Sequence, residues 1–446
     1  MLRENSSSLA MFPSMPQPDD SVGTVDASRQ TGQLSEEQLL ERLRSNVASL
    51  NDGQLQAFNT IVAAIDDCEV EQRLFFVDGP GGSGKTFLYN TLLLHVCAHG
   101  GTALPVAYTG IAALLLDGGK TAHSQFKIPL DLTDTSTCGI SMQSDLGRNI
   151  ASCSLIIWDE APMAKRQAFE AVDRTLRDIT KTDAPFGGKI VVLGGDFRQL
   201  LPVIHSGTRA QVIEASLARS ALWRHVRILE LTENMRLRSL EGDSEEQRRQ
   251  SEFAQYLLRV GNGSIPTDNL DYVTLRDEWC LDGVNVESIV KSVYNNLEAN
   301  YHDRQYIVDR VVLASRNDDV TRINSIATNI FPGSQHDYYS IDTVDDDDRM
   351  MQEVPLEFLN SLTPKGMPPY HLQLKIGQPV VLLRNIDFTR GLCNGTRLIC
   401  KQLHRRVIIA EIAVGPSAET EVAIPRIKLY YRDSDKIGRA SCRERV

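Results

Sequence analysis

Residues 79–86 read Gly79-Pro80-Gly81-Gly82-Ser83-Gly84-Lys85-Thr86, which fits the phosphate-loop pattern G-x-x-x-x-G-K-[ST]. No other stretch restricts the fold as tightly, because such a loop works only between a strand and a helix. Both flanks are present. Leu74-Phe75-Phe76-Val77 reads as a buried strand running into the loop, and Phe87, Leu88, Leu92, Val96 and Cys97 form a helical stripe after it, stopped by Gly100-Gly101. Glycines at 79, 81, 82 and 84, with Ser83 between them, let successive backbone N–H groups close around a phosphate, and the helix N-terminus adds its positive end. Lys85 is expected to reach the β- and γ-phosphates, and the Thr86 hydroxyl to ligate Mg²⁺. The pattern implies binding of a nucleoside triphosphate. A chance glycine-rich turn would need neither flank.

At 446 residues the chain has room for two to four domains. Its 42% hydrophobic and 24% charged residues are ordinary for a globular protein, and no apolar run is long enough to span a bilayer. No charged-then-apolar start resembles a signal peptide. The eight cysteines form no C-x-x-C pair, so zinc or a disulfide framework is not expected, and an intracellular setting with reduced thiols is. The net charge of −11 is unevenly spread: residues 361–446 carry 15 Lys and Arg against 7 Asp and Glu, and the run Asp345 to Asp348 holds part of the opposing charge. That acidic run reads as a solvated loop. The balance neither excludes a basic groove nor argues for one.

Residues 1–34, rich in Ser, Pro, Asp and Gln, read as a disordered lead-in, and Ser35 with Gln38 as a capping box opening a helix, so that residues 1–48 precede the folded part. In the lead-in Glu4, Asp19, Asp20 and Asp26 outnumber Arg3 and Arg29, unlike a mitochondrial transit segment. From Leu50 to Arg236 strands alternate with helical patterns, the signature of an α/β fold with a doubly wound parallel sheet. Phe253–Val260 reads as helix and Val311-Val312-Leu313-Ala314 as a further buried strand. After Pro355, short runs at 372–376, 379–383, 397–400 and 407–413 suggest a small β-rich module.

Two more segments carry chemistry. Leu155-Ile156-Ile157-Trp158 delivers Asp159 and Glu160 at the C-terminal end of a strand, where ligands bind in open α/β sheets. Asp159 is expected to hold Mg²⁺ and Glu160 to polarise the attacking water, although the pair alone reads equally as a helix cap. Ile190–Gly195 followed by Asp196-Phe197-Arg198-Gln199 repeats the design of strand, glycine turn and polar residues. There Gln199 would sense the γ-phosphate or orient water, or Asp196 merely caps a strand–turn–helix corner.

Taken in order, these segments resemble the petite-integration-frequency (Pif) family of superfamily-one, RecD-related DNA helicases, in forms similar to those of rolling-circle transposons. The resemblance covers residues 50–432. It rests on Leu50-Asn51-Asp52-Gly53-Gln54 with Ala57-Phe58, on the phosphate loop, on Thr109-Gly110-Ile111-Ala112-Ala113, and on Gly119–Phe126. It continues through Asp159–Met163, Gly195–Pro202, Leu231–Arg236, Asn360–Pro364, Gly377–Asn385 and Gly391–Thr396. It implies ATP and Mg²⁺ as cofactors. Residues 49–235 would form a RecA-like motor domain, 236–375 an incomplete second RecA-like domain, and 376–435 an SH3-like β insert.

By the same resemblance Gln54 would read adenine and Arg236 would reach the γ-phosphate. Thr109, Gly110, His123 and Phe126 would line a single-strand track, each with a bland alternative: a cap, a turn histidine, a core ring. The implied activity is ATP-dependent 5′–3′ DNA unwinding by a monomer acting on single-stranded DNA and forks. It would serve repair, recombination or telomere maintenance, with the nucleus as the expected compartment. Beyond Arg432 the family's later DNA-contacting segments and its Ser-Arg finger are not matched. Residues 436–446 resemble a translated sequencing adapter more than a gene product, and without them residues 361–435 keep a surplus of five positive charges. Two other readings stand beside the helicase: a hydrolysis-poor fragment that binds nucleotide and single-stranded DNA, and a P-loop ATPase that does not act on DNA.

Overall fold

The structure, a computed structural model, describes residues 35–67, 71–204, 207–238, 245–269, 272–281, 285–344, 359–360, 367–387, 390–415, 417–433 and 437–445. The lead-in of residues 1–34, the acidic run Asp345 to Asp348 and the segment Ser361-Leu362-Thr363-Pro364 lie outside them. The chain divides into two units. One holds residues up to Tyr108 and Leu115–Met235; the other holds Thr109–Leu114 and everything from Arg236.

The first unit opens with helices α1 (Glu36–Ala48) and α2 (Asp52–Asp66). Each is started by a capping box, Ser35 with Gln38 and Asn51 with Gln54. Strand β1 (Leu74–Asp78) leads into the phosphate loop and helix α3 (Lys85–Ala98). Then come β2 (Ala103–Ala107), the helix α4 (Gly110–Leu114), which belongs to the second unit, and, again in the first, β3 (Lys120–Thr121), α5 (Ala122–Phe126) and α6 (Asp145–Ser152). β4 (Leu155–Asp159), α7 (Arg166–Thr180), β5 (Ile190–Gly195), α8 (Arg209–Glu214) and β6 (Val226–Glu230) complete it. The strands form one parallel sheet in the order β3-β2-β4-β5-β1-β6, the doubly wound sheet the alternation predicts.

Its central strands β4 and β5 are buried end to end, and β1 up to Val77, because helices cover both faces. Phe76, Ile156, Trp158, Val191 and Leu193 pack on one side with Phe126, Phe169 and Leu176. Helix α3 covers the other side and is itself covered by α1 and α2. It is therefore buried on nearly all sides through Leu88, Tyr89, Leu92, Leu93 and Leu94, while Phe87 and Cys97 are exposed. The single stripe expected from sequence is corrected accordingly: a helix between a sheet and two other helices needs two apolar faces.

The second unit begins in the short helix α9 (Met235–Arg238) and continues through α10 (Glu245–Gly261), α11 (Val286–Val293), α12 (Leu297–Asn300), α13 (Arg304–Val308) and α14 (Asn317–Ile330). β7 (Gln335–Tyr339) pairs with β9 (His371–Lys375), and β10 (Pro379–Val381), β11 (Arg397–Leu403), β12 (Val407–Ile412) and β13 (Glu421–Pro425) form a four-stranded antiparallel sheet. β8 (Ile341–Val344), β14 (Ile427–Asp433) and β15 (Ile437–Arg445) make a third, antiparallel sheet, so the last residues pair as a strand. Alternating burial along β12 and β13 sends Ile408, Ala410, Ile412, Val422 and Ile424 into one small core.

Val311–Ala314 is not a strand. It has no ladder partner among the described residues, and Val311 and Leu313 are 55% and 86% exposed. An apolar run becomes a strand only where another strand offers it hydrogen bonds.

Candidate functional site

The phosphate loop sits where β1 ends and α3 begins, at the C-terminal edge of the parallel sheet. Gly84, the residue capping α3, adopts φ +78, and a Cβ on it would run into Gln54 Nε2. Glycine is required there twice over, by conformation and by space. Lys85 Nζ donates to the carbonyls of Gly79 (2.5 Å) and Pro80 (3.2 Å), so the ammonium is already aimed back over the loop. Burial lowers its pKa, opposed by the charges of Asp159, Asp196 and Asp78 in that order. Within the first unit the Met235 N–H donates to the Gly82 carbonyl (2.9 Å) and ties the end of the unit to the loop.

Gln54 is 1% exposed, and its amide is engaged with the loop rather than turned outward. Nε2 donates to the carbonyls of Ser83 (3.1 Å) and Gly84 (3.4 Å), while Oε1 accepts the Asn51 N–H (3.0 Å). In this structure the side chain braces the phosphate loop.

The carboxylates converge from the neighbouring strands. Asp159, at the end of β4, is 8% exposed, and its Oδ1 accepts the Glu160 N–H (2.9 Å). Burial raises its pKa, with the Glu160 N–H and the Lys85 charge pulling the other way. Glu160 follows at φ +53, a left-handed conformation that costs a non-glycine residue about 1 kcal/mol or more and is typical of working sites. From β5, Asp196 accepts Arg198 Nε (2.6 Å), and Arg198 Nη2 reaches Asp78 at the end of β1 (3.4 Å). Burial raises the Asp78 pKa ahead of the opposing Arg198 charge. Gln199 is exposed and donates to Asp196 Oδ2 (3.4 Å), and Asp196 holds a turn rather than opening a helix.

Lys85, Asp159, Asp196 and Asp78 thus lie within electrostatic reach of one another. Thr86, half-buried in the first turn of α3, and the desolvated Asp159 carboxylate supply the hard oxygen donors that suit Mg²⁺. Two further polar atoms, Ser83 Oγ and Tyr89 Oη, are buried beside the loop without a hydrogen-bond partner among the described residues. Sequence reading named neither as an orphan, and it missed the Asp78–Arg198 link. Only three-dimensional register reveals such contacts.

The residues expected to touch DNA divide. Phe126 is 1% exposed and stacks against Trp158 at 5.8 Å between ring centroids, deep in the core under β4. Its ring is not available to a base, so the expectation is corrected: an aromatic at the end of α5 filled the sheet's underside instead. His123, on the same helix, is half-buried beside Tyr108 with ring centroids 6.3 Å apart, and burial lowers its pKa. Thr109 Oγ1 accepts the Ala112 N–H (3.2 Å) and so caps α4, with Gly110 buried as its first residue. Thr109, Gly110 and Arg236 fall in the second unit.

A family model described as PIF1-like helicase matches residues 49–271, and one described as the 2B domain of DNA helicase Pif1 matches residues 357–403. The ATP-dependent DNA helicase Pif1 of Psychrobacter sp. is 25% identical over 323 residues, 72% of this chain and 43% of that protein. The chain thus spans about two-fifths of the length of such a relative. A solved Pif1, described as one of two coordinating helicases unwinding forked double-stranded DNA, superposes with a TM-score of 0.58 at 23% identity, covering 88% of this chain and 79% of that one. Bacteroides Pif1 bound to single-stranded DNA gives 0.55 at 22% identity, with the same coverage. At these identities the structural likeness speaks for the fold.

Proposed function

The chain belongs to the PIF1-like helicase family, and from that premise we propose that it carries the ATP-binding and hydrolysing machinery of an ATP-dependent DNA helicase. The observation that carries this reading is the joint placement of Lys85 and Asp159 at the C-terminal edge of one parallel sheet, each buried enough to shift its proton affinity. Backbone N–H groups of residues 81–86 would hold the β-phosphate, and Lys85 would turn from the Gly79 and Pro80 carbonyls to the phosphate chain. Thr86 and Asp159 would hold Mg²⁺, which when bound neutralises charge between the phosphates. Glu160, held in its strained conformation next to Asp159, would orient and deprotonate the attacking water, and Gln199 would stand near the terminal phosphate.

The reading extends to DNA. His123 and Thr109 would contact a single strand through phosphate hydrogen bonds, with 5′–3′ movement and unwinding of forks by a monomer, as the family resemblance suggests. Repair, recombination and telomere maintenance in the nucleus are the processes we propose for it. The test is equilibrium binding of a fluorescent ATP analogue, followed by DNA-stimulated hydrolysis. Lys85→Ala should weaken nucleotide binding by roughly 100-fold or more, since a charge aimed at the β- and γ-phosphates is lost. Glu160→Gln should bind normally and not turn over. Unchanged affinity in Lys85→Ala would refute the site.

A further inference from the structure

Tyr89 lies on α3 one turn beyond Lys85, and none of its side chain is exposed. Its hydroxyl has no hydrogen-bond partner among the described residues, which is unusual for a buried phenol. The ring is driven against the end of β5. A Cβ on Gly194 would collide with Tyr89 Oη and stand 2.6 Å from Cζ, so it is the missing side chain of Gly194 that lets the hydroxyl reach the sheet.

Strand register says what waits there. Val77 pairs with Gly194, and Trp158 with Leu193. Asp159, the residue after Trp158, therefore stands beside Gly194 on the same face, at the strand spacing of about 5 Å. Asp159 and Asp78 are the two charges that act on the Tyr89 hydroxyl. Packing alone does not account for the pair: phenylalanine would fill the same space without desolvating an oxygen, and a larger residue at 194 would support the strand better. Two local disadvantages meeting at one point mark a functional compromise.

We propose that Tyr89 is a positioning residue for the metal-holding carboxylate: once Mg²⁺ binds, its buried hydroxyl donates a hydrogen bond to Asp159 and keeps that carboxylate turned toward the metal. The inference deepens the nucleotide-site reading and rests on it. Tyr89→Phe in the full chain isolates the hydroxyl, and fluorescent ADP measured in EDTA and again with Mg²⁺ separates nucleotide binding from metal binding. The variant should bind ADP in EDTA within about twofold of the parent, yet lose roughly tenfold of the affinity that Mg²⁺ adds. Its thermal midpoint without ligand should be equal or higher, because a buried unsatisfied hydroxyl is gone. Gly194→Ala, which pushes the hydroxyl off the sheet, should cut the same Mg²⁺-dependent gain.

A Tyr89→Phe protein with the full Mg²⁺ gain would overturn the proposal while leaving the nucleotide site standing. A parent chain that binds ADP in neither condition would overturn the site and the proposal together.

Discussion

Partly or wholly buried charges in the two units behave in opposite ways. At the sheet edge of the first unit, Lys85 is pushed toward its neutral form and Asp159 and Asp78 toward theirs, in each case chiefly by burial. In the second unit Glu411 on β12 sits between Arg304 (2.7 Å) and Lys401 (2.8 Å), and those partners, Lys401 foremost, hold its pKa below the ordinary range. The first arrangement leaves charges desolvated and incompletely compensated, as a site for a charged ligand must. The second is a closed ion pair that fastens helix α13 to the antiparallel sheet. Burial with compensation builds structure; burial without it marks chemistry.

The largest effect expected from a single change tests where the first unit stops being site and becomes core. Phe126→Ala should destabilise that unit by about 3–5 kcal/mol, because it empties a fully buried ring position against Trp158. Denaturant melts check it. A variant of native stability that binds single-stranded DNA less well would return Phe126 to the DNA track.

Phe126 also shows how far sequence could reach. The loop, its strand and helix, and Asp159-Glu160 were legible because each is fixed by local chemistry: glycine conformation, strand hydrophobicity, a helix start. The antiparallel runs of the second unit were legible too, from alternation. Burial of Phe126 was not, since a motif states which residues recur but not which face they turn to. Nor was the brace that Gln54, placed by resemblance at adenine, makes to the Ser83 and Gly84 carbonyls. Val311–Ala314 failed for a third reason: its residues favour a strand, and strand formation depends on a neighbour.

Gln54 gives the next effect in size. If its amide braces the loop, Gln54→Ala should weaken binding of every nucleoside triphosphate together, by about 1–3 kcal/mol, because the Ser83 and Gly84 carbonyls lose their donor. If it reads adenine, ATP alone should suffer while GTP is bound as before. Competition between the two nucleotides decides.

The smallest effects sharpen the contrast between the charges, and pH gives them opposite signs. Asp159 has a folded pKa above its reference of 3.8, so its contribution to stability is present below that pH and lost as pH rises through the raised value. Asp159→Asn should therefore melt higher than the parent at pH 7, with the advantage vanishing under acid conditions, while Mg²⁺ no longer strengthens nucleotide binding. Glu411 has a folded pKa below its reference of 4.5, so its contribution is present above that pH and lost as pH falls through the lowered value. Glu411→Gln should melt lower than the parent at pH 7, by about 1 kcal/mol for a pair that water still partly screens, and converge with it in acid. Nucleotide affinity should not change in this variant. Thermal melts of both variants from pH 3 to pH 8 supply the readout. If Asp159→Asn lowered the neutral-pH midpoint as Glu411→Gln does, the Asp159 carboxylate would be a compensated structural charge, and the distinction between site and staple would fall.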